Sequence, residues 1–397
     1  MMMESPDLLL KKVQGCLYGG AIGDAMGAPA EWRSPAEIRA RYGYITDLVE
    51  AWDAENTRGR GHGRYTDDTH MAQLLCECYR EHGDHLDAHE FLRRIVPKMA
   101  LEERWIPERE RHMPLVERLF YPEKWLYIRW LGNADPRNAG VGNMVNCGAA
   151  MYAAPVGIIN ACDPQRAYVE AIDIFSAHQH SYGLEAAGVM AAAVAAAFAP
   201  DATVGSVIDA ALAVAKDGTR ACIEALVECA ADFSDWREAI APLREVMRRY
   251  DGSADDAKAQ RGNGRNDWTA SREHSIEEAP IALAFLVVTG GDFEGTVFGG
   301  TNYGRDNDSI AGMGGAIAGA MQGIDALRDD WLRMINSANA IDLMPLAQDM
   351  AALTRKLQAG QFAAAQERQT AFAALSGRRR LCPHPKPLPH KEGGALT

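Results

Sequence analysis

The chain has no apolar run long enough to cross a bilayer. Its most apolar stretch, Gly183 to Phe198, is broken by Glu185. A spanning helix needs roughly 20 apolar residues, so this stretch reads as a buried core helix. A secretory leader is not expected either: the start MMMESPDLLLKKVQG carries Glu4 and lacks a basic region followed by an apolar core and a small-residue cleavage site. Cysteine pairs with metal-ligand spacing are missing. The eight cysteines are scattered, Cys76 and Cys78 are too close for a zinc-type pair, and Cys222 and Cys229 have no His or Cys cluster nearby. Free thiols in a reducing compartment follow, and the chain is read as cytoplasmic. Positive charge is in deficit, with 41 basic against 54 acidic residues and a formal net charge of −13. That balance disfavours a phosphate backbone, so neither nucleic acid nor membrane is expected as a partner. Long alternating strand patterns and internal repeats are also absent.

What remains is helical. Over 397 residues, 47% hydrophobic and 24% charged, the ordinary globular range, there is material for a substantial core. Met71, Leu74, Leu75, Cys78 and Tyr79 fall on one face of a helix, and Ile310, Met313, Ile317 and Met321 on another. Gly15, Gly19, Gly23 and Gly27 recur every four residues and cut a smooth groove along one helix face. Lys11, Lys12 and Asp24 interrupt that segment, which points to close helix packing in a soluble core. The class is all-α, with one domain over residues 8–375. Residues 376–397 (basic and proline-rich, GRRRLCPHPKPLPHKEGG within them) are expected to be a disordered tail. Residues 101–147, with Trp105, Trp125, Tyr127 and Trp130, and the polar stretch 251–275 break the helical pattern.

Two acidic clusters stand where helices begin: Thr66-Asp67-Asp68-Thr69 and Asp306-Asn307-Asp308-Ser309. N-capping explains such residues one at a time, because their oxygens accept orphan backbone N–H groups. One cap needs one residue, however, and each cluster supplies several oxygens. If the clusters converge with Glu31, five carboxylates share a site. Each like-charged pair at ~4 Å then costs about 1 kcal/mol in water-like surroundings and about 4 kcal/mol at an effective dielectric near 20. Bound cations or protonation must offset that. Carboxylate and hydroxyl oxygens without His or Cys suit Mg²⁺, Mn²⁺ or Ca²⁺ rather than zinc.

The segments GCLYGGAIGDAMGAPAEW, RYTDDTHMA and NYGRDNDSIAGMGGAIAGAMQG resemble, in order and separation, the three signature segments of the ADP-ribosylglycohydrolase family, over roughly residues 12–330. The resemblance implies a compact, orthogonally packed all-α fold with a binuclear magnesium site, Mn²⁺ being an acceptable substitute. It implies Thr66, Asp67, Asp68, Asp306, Asp308 and Ser309 as metal ligands, and Glu31 beside the metals, either acting on the bound water or shifting on substrate binding. His178 in AHQH and Gly142 and Asn143 in the glycine-rich loop GVGNMVNCGAAMYAAPVGI become candidate substrate contacts. A capping or core role for His178, and a simple turn at Gly142 and Asn143, remain open. Three departures stand out. Asn307 replaces a Thr, Asn146 and Cys147 replace simpler small residues, and the aromatic stretch 101–133 is either a lid or local core packing.

The implied activity is hydrolysis of a ribosyl glycosidic bond, with Glu31, Asp67 and Asp308 as catalytic residues. The expected partner is an ADP-ribosylated protein or a small ribosylated molecule. A hydrolase of another N- or O-glycoside, or a catalytically silent binding member, are the alternatives.

Overall fold

The structure is a computed structural model that describes residues 7–52, 60–250 and 276–376. The chain divides into two compact units, residues 1–355 and 356–397, and every site residue discussed here lies in the first. The polar stretch 251–275 and the tail from 377 onward lie outside the described residues. Helices carry the fold, as the periodicity requires. The strands among the described residues are Glu103–Ile106 and Arg111–Pro114, an antiparallel hairpin in which Trp105 faces His112. No described helix is long and apolar enough to cross a membrane.

The centre of the first unit is a pair of helices, Leu8–Gly27 and Asn307–Gln322. They run antiparallel in a register that the glycines impose. A methyl group at Gly15 would lie 2.2 Å from the Gly319 carbonyl oxygen, one at Gly19 2.3 Å from that of Gly315, and one at Gly23 2.1 Å from that of Ala311. At the end of the row, a methyl at Gly27 would meet the Asp308 Cα at 2.5 Å. The two backbones therefore touch where side chains ordinarily hold helices 8–10 Å apart. Nearly every residue of the second helix is buried, from Asn307 to Ala320.

A buried lysine closes the far end of this pair. The Lys12 ammonium donates to the carbonyls of Ala197, Ala320 and Met321, each at 2.9 Å. These are the orphan acceptors at the C-terminal ends of the helices Ser181–Ala197 and Asn307–Gln322, where a cation also meets the negative end of each helix dipole. The Ser181–Ala197 helix is the long apolar run of the sequence, buried throughout from Ala186 to Ala197. Its Glu185 stays at the margin, accepting from the Tyr168 hydroxyl at 2.8 Å. The Met71–Tyr79 stripe belongs to the helix Asp67–His82, with Met71, Leu74, Leu75, Cys78 and Tyr79 all inaccessible to solvent.

The glycine contact is directly testable. Overpacking a close-packed site costs about 1–3 kcal/mol, and more where the obstacle is backbone. Gly23→Ala should therefore lower unfolding free energy by at least that much in urea denaturation. Gly20→Ala is the internal control: its methyl would find Ala316 Cβ at 3.5 Å, ordinary contact. There the helix propensity of alanine, worth up to about 1 kcal/mol over glycine, should leave stability unchanged or raised. Equal losses at the two positions would show that the close approach is not what sets the register.

Candidate active site

The N-termini of two helices, Asp67–His82 and Asn307–Gln322, open onto one cavity of about 320 Å³. Each brings the positive end of a helix dipole, which favours anionic groups there. At the first helix the cap is Thr66, whose backbone is extended and whose hydroxyl accepts the Asp68 N–H at 3.3 Å. That leaves the carboxylates of Asp67 and Asp68 for the cavity. At the second helix Asp306 occupies the cap position but its side chain makes no capping bond. It accepts instead from the Cys147 thiol at 2.9 Å. The capping reading thus holds for Thr66 and fails for Asp306.

Glu31 joins them through a strained connection. It follows the short turn Ala28–Ala30 at the end of the first helix. The next residue, Trp32, has φ +67°, and Arg305 on the opposing segment has φ +60°. Two backbone bonds lock these segments together: Trp32 N–H donates to the Arg305 carbonyl at 2.6 Å, and Arg305 N–H to that of Arg33 at 2.8 Å. A left-handed conformation at a residue other than glycine costs on the order of 1–3 kcal/mol and persists where surrounding structure over-determines it. Here it holds Glu31 against the Asp306 end of the second helix.

Of the residues expected at the metals, Asp67, Asp68, Asp306, Asp308 and Ser309 line the cavity together with Glu31. Thr66 sits behind them, wholly buried, with its hydroxyl 3.4 Å from Asp68 Oδ1. Ligand oxygens of Glu31, Asp306 and Asp308 all lie within 4.8 Å of one another. Asp68 Oδ2 is buried and has no hydrogen-bond partner among the described residues. Burial, with Asp24, Asp308, Asp67 and Asp306 around it, pushes the Asp68 carboxyl well above the usual range. Burial likewise raises Asp308, against the pull of Arg60. Hard oxygen donors, one of them unpaired, crowded in a buried wall, fit a Mg²⁺-type ion.

Two guanidinium groups stand among these carboxylates. Arg60 is ion-paired with Glu31, and both side chains are almost entirely buried. Arg118 spans Asp67 and Glu108, at 2.5 Å each. Behind the first cluster lies Asp24, on the glycine-rich helix. Its carboxylate accepts from the N–H groups of Thr66 at 2.9 Å and Thr69 at 3.1 Å, and from the Thr69 hydroxyl at 2.5 Å. It fastens the start of the Asp67–His82 helix to the Leu8–Gly27 helix.

Sequence reasoning did not select Asp24, Arg60, Glu108, Arg118 or Glu123. Asp24 did carry a signal, as the one acid within the glycine-rich row. The others come from segments without periodicity. Glu123 opens the helix Tyr121–Leu131 and lines the cavity beside Phe120, Tyr121 and Pro122. The aromatic stretch is therefore neither plain packing nor a separate lid. Its residues 120–123 form part of the cavity wall while Leu126 goes to the core.

The expected substrate contacts sit elsewhere. Gly142, Asn143 and His178 do not line the cavity, whereas Met144, Asn146 and Cys147 do. Gly142 is a turn with φ +92°. The Asn143 amide donates to the carbonyls of Pro122 at 2.9 Å and His178 at 2.8 Å. His178 is inaccessible, with Nδ1 2.8 Å from the Tyr152 hydroxyl and Nε2 3.1 Å from the Pro122 carbonyl. Burial pulls its pKa down to about 4, so the ring is neutral at pH 7. Both side chains hold Pro122, and through it the position of Glu123.

With this geometry in place, comparison with known proteins is decisive at the level of family. The sequence profile of the ADP-ribosylglycohydrolases matches residues 5–360. The chain belongs to the ADP-ribosylglycohydrolase family. Similar proteins include the uncharacterized protein YegU of Escherichia coli, 24% identical over 88% of this chain and 99% of its own length. The ADP-ribosylarginine hydrolase Tri1 of Pseudomonas putida is 23% identical over 87% of this chain and 79% of its own. The ADP-ribosylhydrolase ARH3 of Danio rerio is 24% identical over 82% and 87% respectively. A solved structure described as an ADP-ribosylglycohydrolase-related protein complex shares the fold, with TM-score 0.56 and 19% identity over 87% of this chain and 98% of that one.

Membership makes the chain a hydrolase and explains the order of its three motifs. Asn307, one of the three departures that the resemblance raised, is inaccessible, and its amide donates to the Thr301 carbonyl at 2.7 Å. The substitution leaves the cavity wall untouched.

Asp24 gives a pH prediction. Burial and the neighbouring Asp308 raise its pKa from 3.8 to about 7. Between those values the folded state binds a proton that the unfolded chain has released. Stability contributed by this group therefore falls as pH rises through that window. With metal removed, wild type relative to Asp24→Asn should lose stability from about pH 4 to about pH 7, on the order of 1 kcal/mol per unit. A difference that is flat or rises with pH in chemical denaturation would contradict the assignment.

Proposed function

We propose that this hydrolase cleaves a ribosyl glycosidic bond with the help of two Mg²⁺-type ions, removing ADP-ribose from a modified protein side chain or a small metabolite. The observation that carries the reading is the convergence of two acidic helix N-termini and Glu31 on one cavity wall, with an unpaired Asp68 oxygen among them. The names of two relatives, an ADP-ribosylarginine hydrolase and an ADP-ribosylhydrolase, support the substrate class. Free thiols at every described cysteine suit a reducing compartment, and we infer a cytoplasmic location.

Glu31, Asp67, Asp68, Asp306, Asp308 and Ser309 would hold the ions, with Mn²⁺ as an acceptable substitute and Thr66 supporting Asp68 from behind. When bound, such ions polarise oxygens of the substrate and make water a better nucleophile at neutral pH. The chain's own residues do the rest. Glu31, held in place by Arg60, can accept the proton of an attacking water. Arg118 fixes the Asp67 carboxylate through a direct hydrogen bond. Glu123, pushed up to about 8 by burial and by the charge of Asp67, carries a proton at pH 7 and can give it to the departing group. Phe120, Tyr121, Met144 and Met151 supply an apolar wall suited to a flat ring.

The test is product release from ADP-ribosyl-arginine, ADP-ribosyl-serine, free ADP-ribose derivatives and nucleosides, with and without Mg²⁺, read by chromatography. Wild type should release product only with the ion. Asp67→Asn and Asp308→Asn should lower turnover by orders of magnitude while circular dichroism stays unchanged. Inactivity of wild type across the panel would indicate a silent member. Cleavage of nucleosides alone would move the reading to another small glycoside.

Glu123 generates a separate expectation. General acid catalysis contributes about 10²–10⁴-fold, so Glu123→Gln should lower kcat within that range and leave Mg²⁺ affinity unchanged. Wild-type kcat should fall on the alkaline side as Glu123 loses its proton, and that fall should disappear in the variant. A variant with wild-type kcat and an unchanged alkaline limb would remove Glu123 from the mechanism.

A further inference from the structure

Directly behind the cavity wall lies a second group of ligand-type atoms. The Cys147 sulfur, a Glu278 carboxylate oxygen and an Asp306 carboxylate oxygen all lie within 4.8 Å of one another, and all three residues are buried. Glu278, the first residue of the helix Glu278–Val288, is wholly inaccessible. Both of its carboxylate oxygens lack a hydrogen-bond partner among the described residues. The nearby Arg305 guanidinium is engaged by Glu277 at 2.9 Å. An acid in that setting is unusual, since buried polar groups are nearly always paired. Protonation would remove its charge but would leave both oxygens without partners.

We propose that Cys147, Glu278 and Asp306 form a distinct cation site that takes a thiophilic divalent ion such as Zn²⁺ or Co²⁺. The dimensions suit it. Metal–sulfur bonds of about 2.3 Å and metal–oxygen bonds of about 2.0–2.2 Å place the ligand atoms of one tetrahedral ion about 3.3–3.7 Å apart. The Cys147 sulfur and an Asp306 oxygen already lie 2.9 Å apart, and the widest gap, within 4.8 Å, would close by about 1 Å as the side chains turn onto the ion. A thiolate selects against Mg²⁺ and for softer ions. As the sulfur–metal bond forms, the thiol proton leaves to the buffer. Asp306 is shared with the Glu31–Asp308 group, so it would bridge an inner, sulfur-containing position and an outer, all-oxygen one. Cys147 and Asp306 reach the cavity, which gives a water access to the ion's remaining position. Unlike the hydrolase reading, this site does not depend on ribosyl chemistry.

The experiment is titration of the metal-free full-length chain with Co²⁺, followed by near-ultraviolet absorption and calorimetry. The expected result is a sulfur-to-cobalt charge-transfer band that saturates with one equivalent. Cys147→Ser should abolish the band, and Glu278→Gln should weaken Co²⁺ binding at least tenfold, with circular dichroism confirming that both variants fold. Asp308→Asn should keep the band. Co²⁺ binding without the band, no Co²⁺ binding at all, or wild-type affinity in Glu278→Gln would each overturn the site. The two readings fail separately. Mg²⁺-dependent release of ADP-ribose with no cobalt band refutes only the inner site, and a saturable band with no glycosidic activity refutes only the hydrolase.

Discussion

The backbone contact between the Leu8–Gly27 and Asn307–Gln322 helices governs the geometry of the site. Four contacts along one row carry the approach from Gly15 and Gly319 to Gly27 and Asp308. Because the helices touch without intervening side chains, neither can slide or tilt without a backbone clash. The start of the second helix is thereby fixed beside the end of the first. Asp24 lies on the same glycine-rich helix and reaches sideways to the N–H groups of Thr66 and Thr69. One helix therefore places both acidic clusters, the first through a buried carboxylate and the second through direct contact. Lys12 secures the other end by gathering three carbonyls.

Such close packing is what allows like charges to be assembled at all. Burial raises the proton affinity of Asp24, Asp68 and Asp308, and neighbouring carboxylates add to the effect. A loosely packed region would relieve the repulsion by moving apart. The glycine register prevents that, and the positive φ angles at Trp32 and Arg305 show the same constraint acting on the backbone. The repulsion is therefore kept, as the proposed ion site requires. Arg60 and Arg118 offset part of it at fixed positions, one at Glu31 and one at Asp67.

The helical class, the core stripes and the two acidic clusters were legible because each is a local pattern. Periodicity at Met71–Tyr79 needs only neighbours along the chain, and so does the four-residue spacing of glycine. The meaning of Asp24 was harder to reach. Its charge was visible as an interruption, but its partners at Thr66 and Thr69 are far away in sequence. Arg118 and Glu123 lie in an aromatic segment whose order comes from a short hairpin and from packing, and nothing in their spacing announces the cavity. His178 and Asn143 are a different case. Their residue types suggest ligand contact, yet tertiary structure spends their polar atoms on the Pro122 carbonyl. Residue type identifies what a side chain can bond, and only the fold decides which partner it receives.

The same distinction separates departures from the family pattern that matter for chemistry from those that do not. Asn307 changes the middle of an acidic motif, but its amide is turned inward onto the Thr301 carbonyl and never reaches the cavity. Cys147 lies in a less acidic segment, yet its sulfur contacts Asp306 and faces the cavity. Met144 and Asn146 line the same cavity, as do Phe120 and Tyr121. Selectivity of this member should therefore reside in the segments 120–123 and 144–151, which differ in character from the acidic motifs. The acidic motifs are held by backbone contacts that tolerate little variation. The wall residues hang from a helix start and a loop supported by His178 and Asn143, where side chains can change without disturbing the register beneath them.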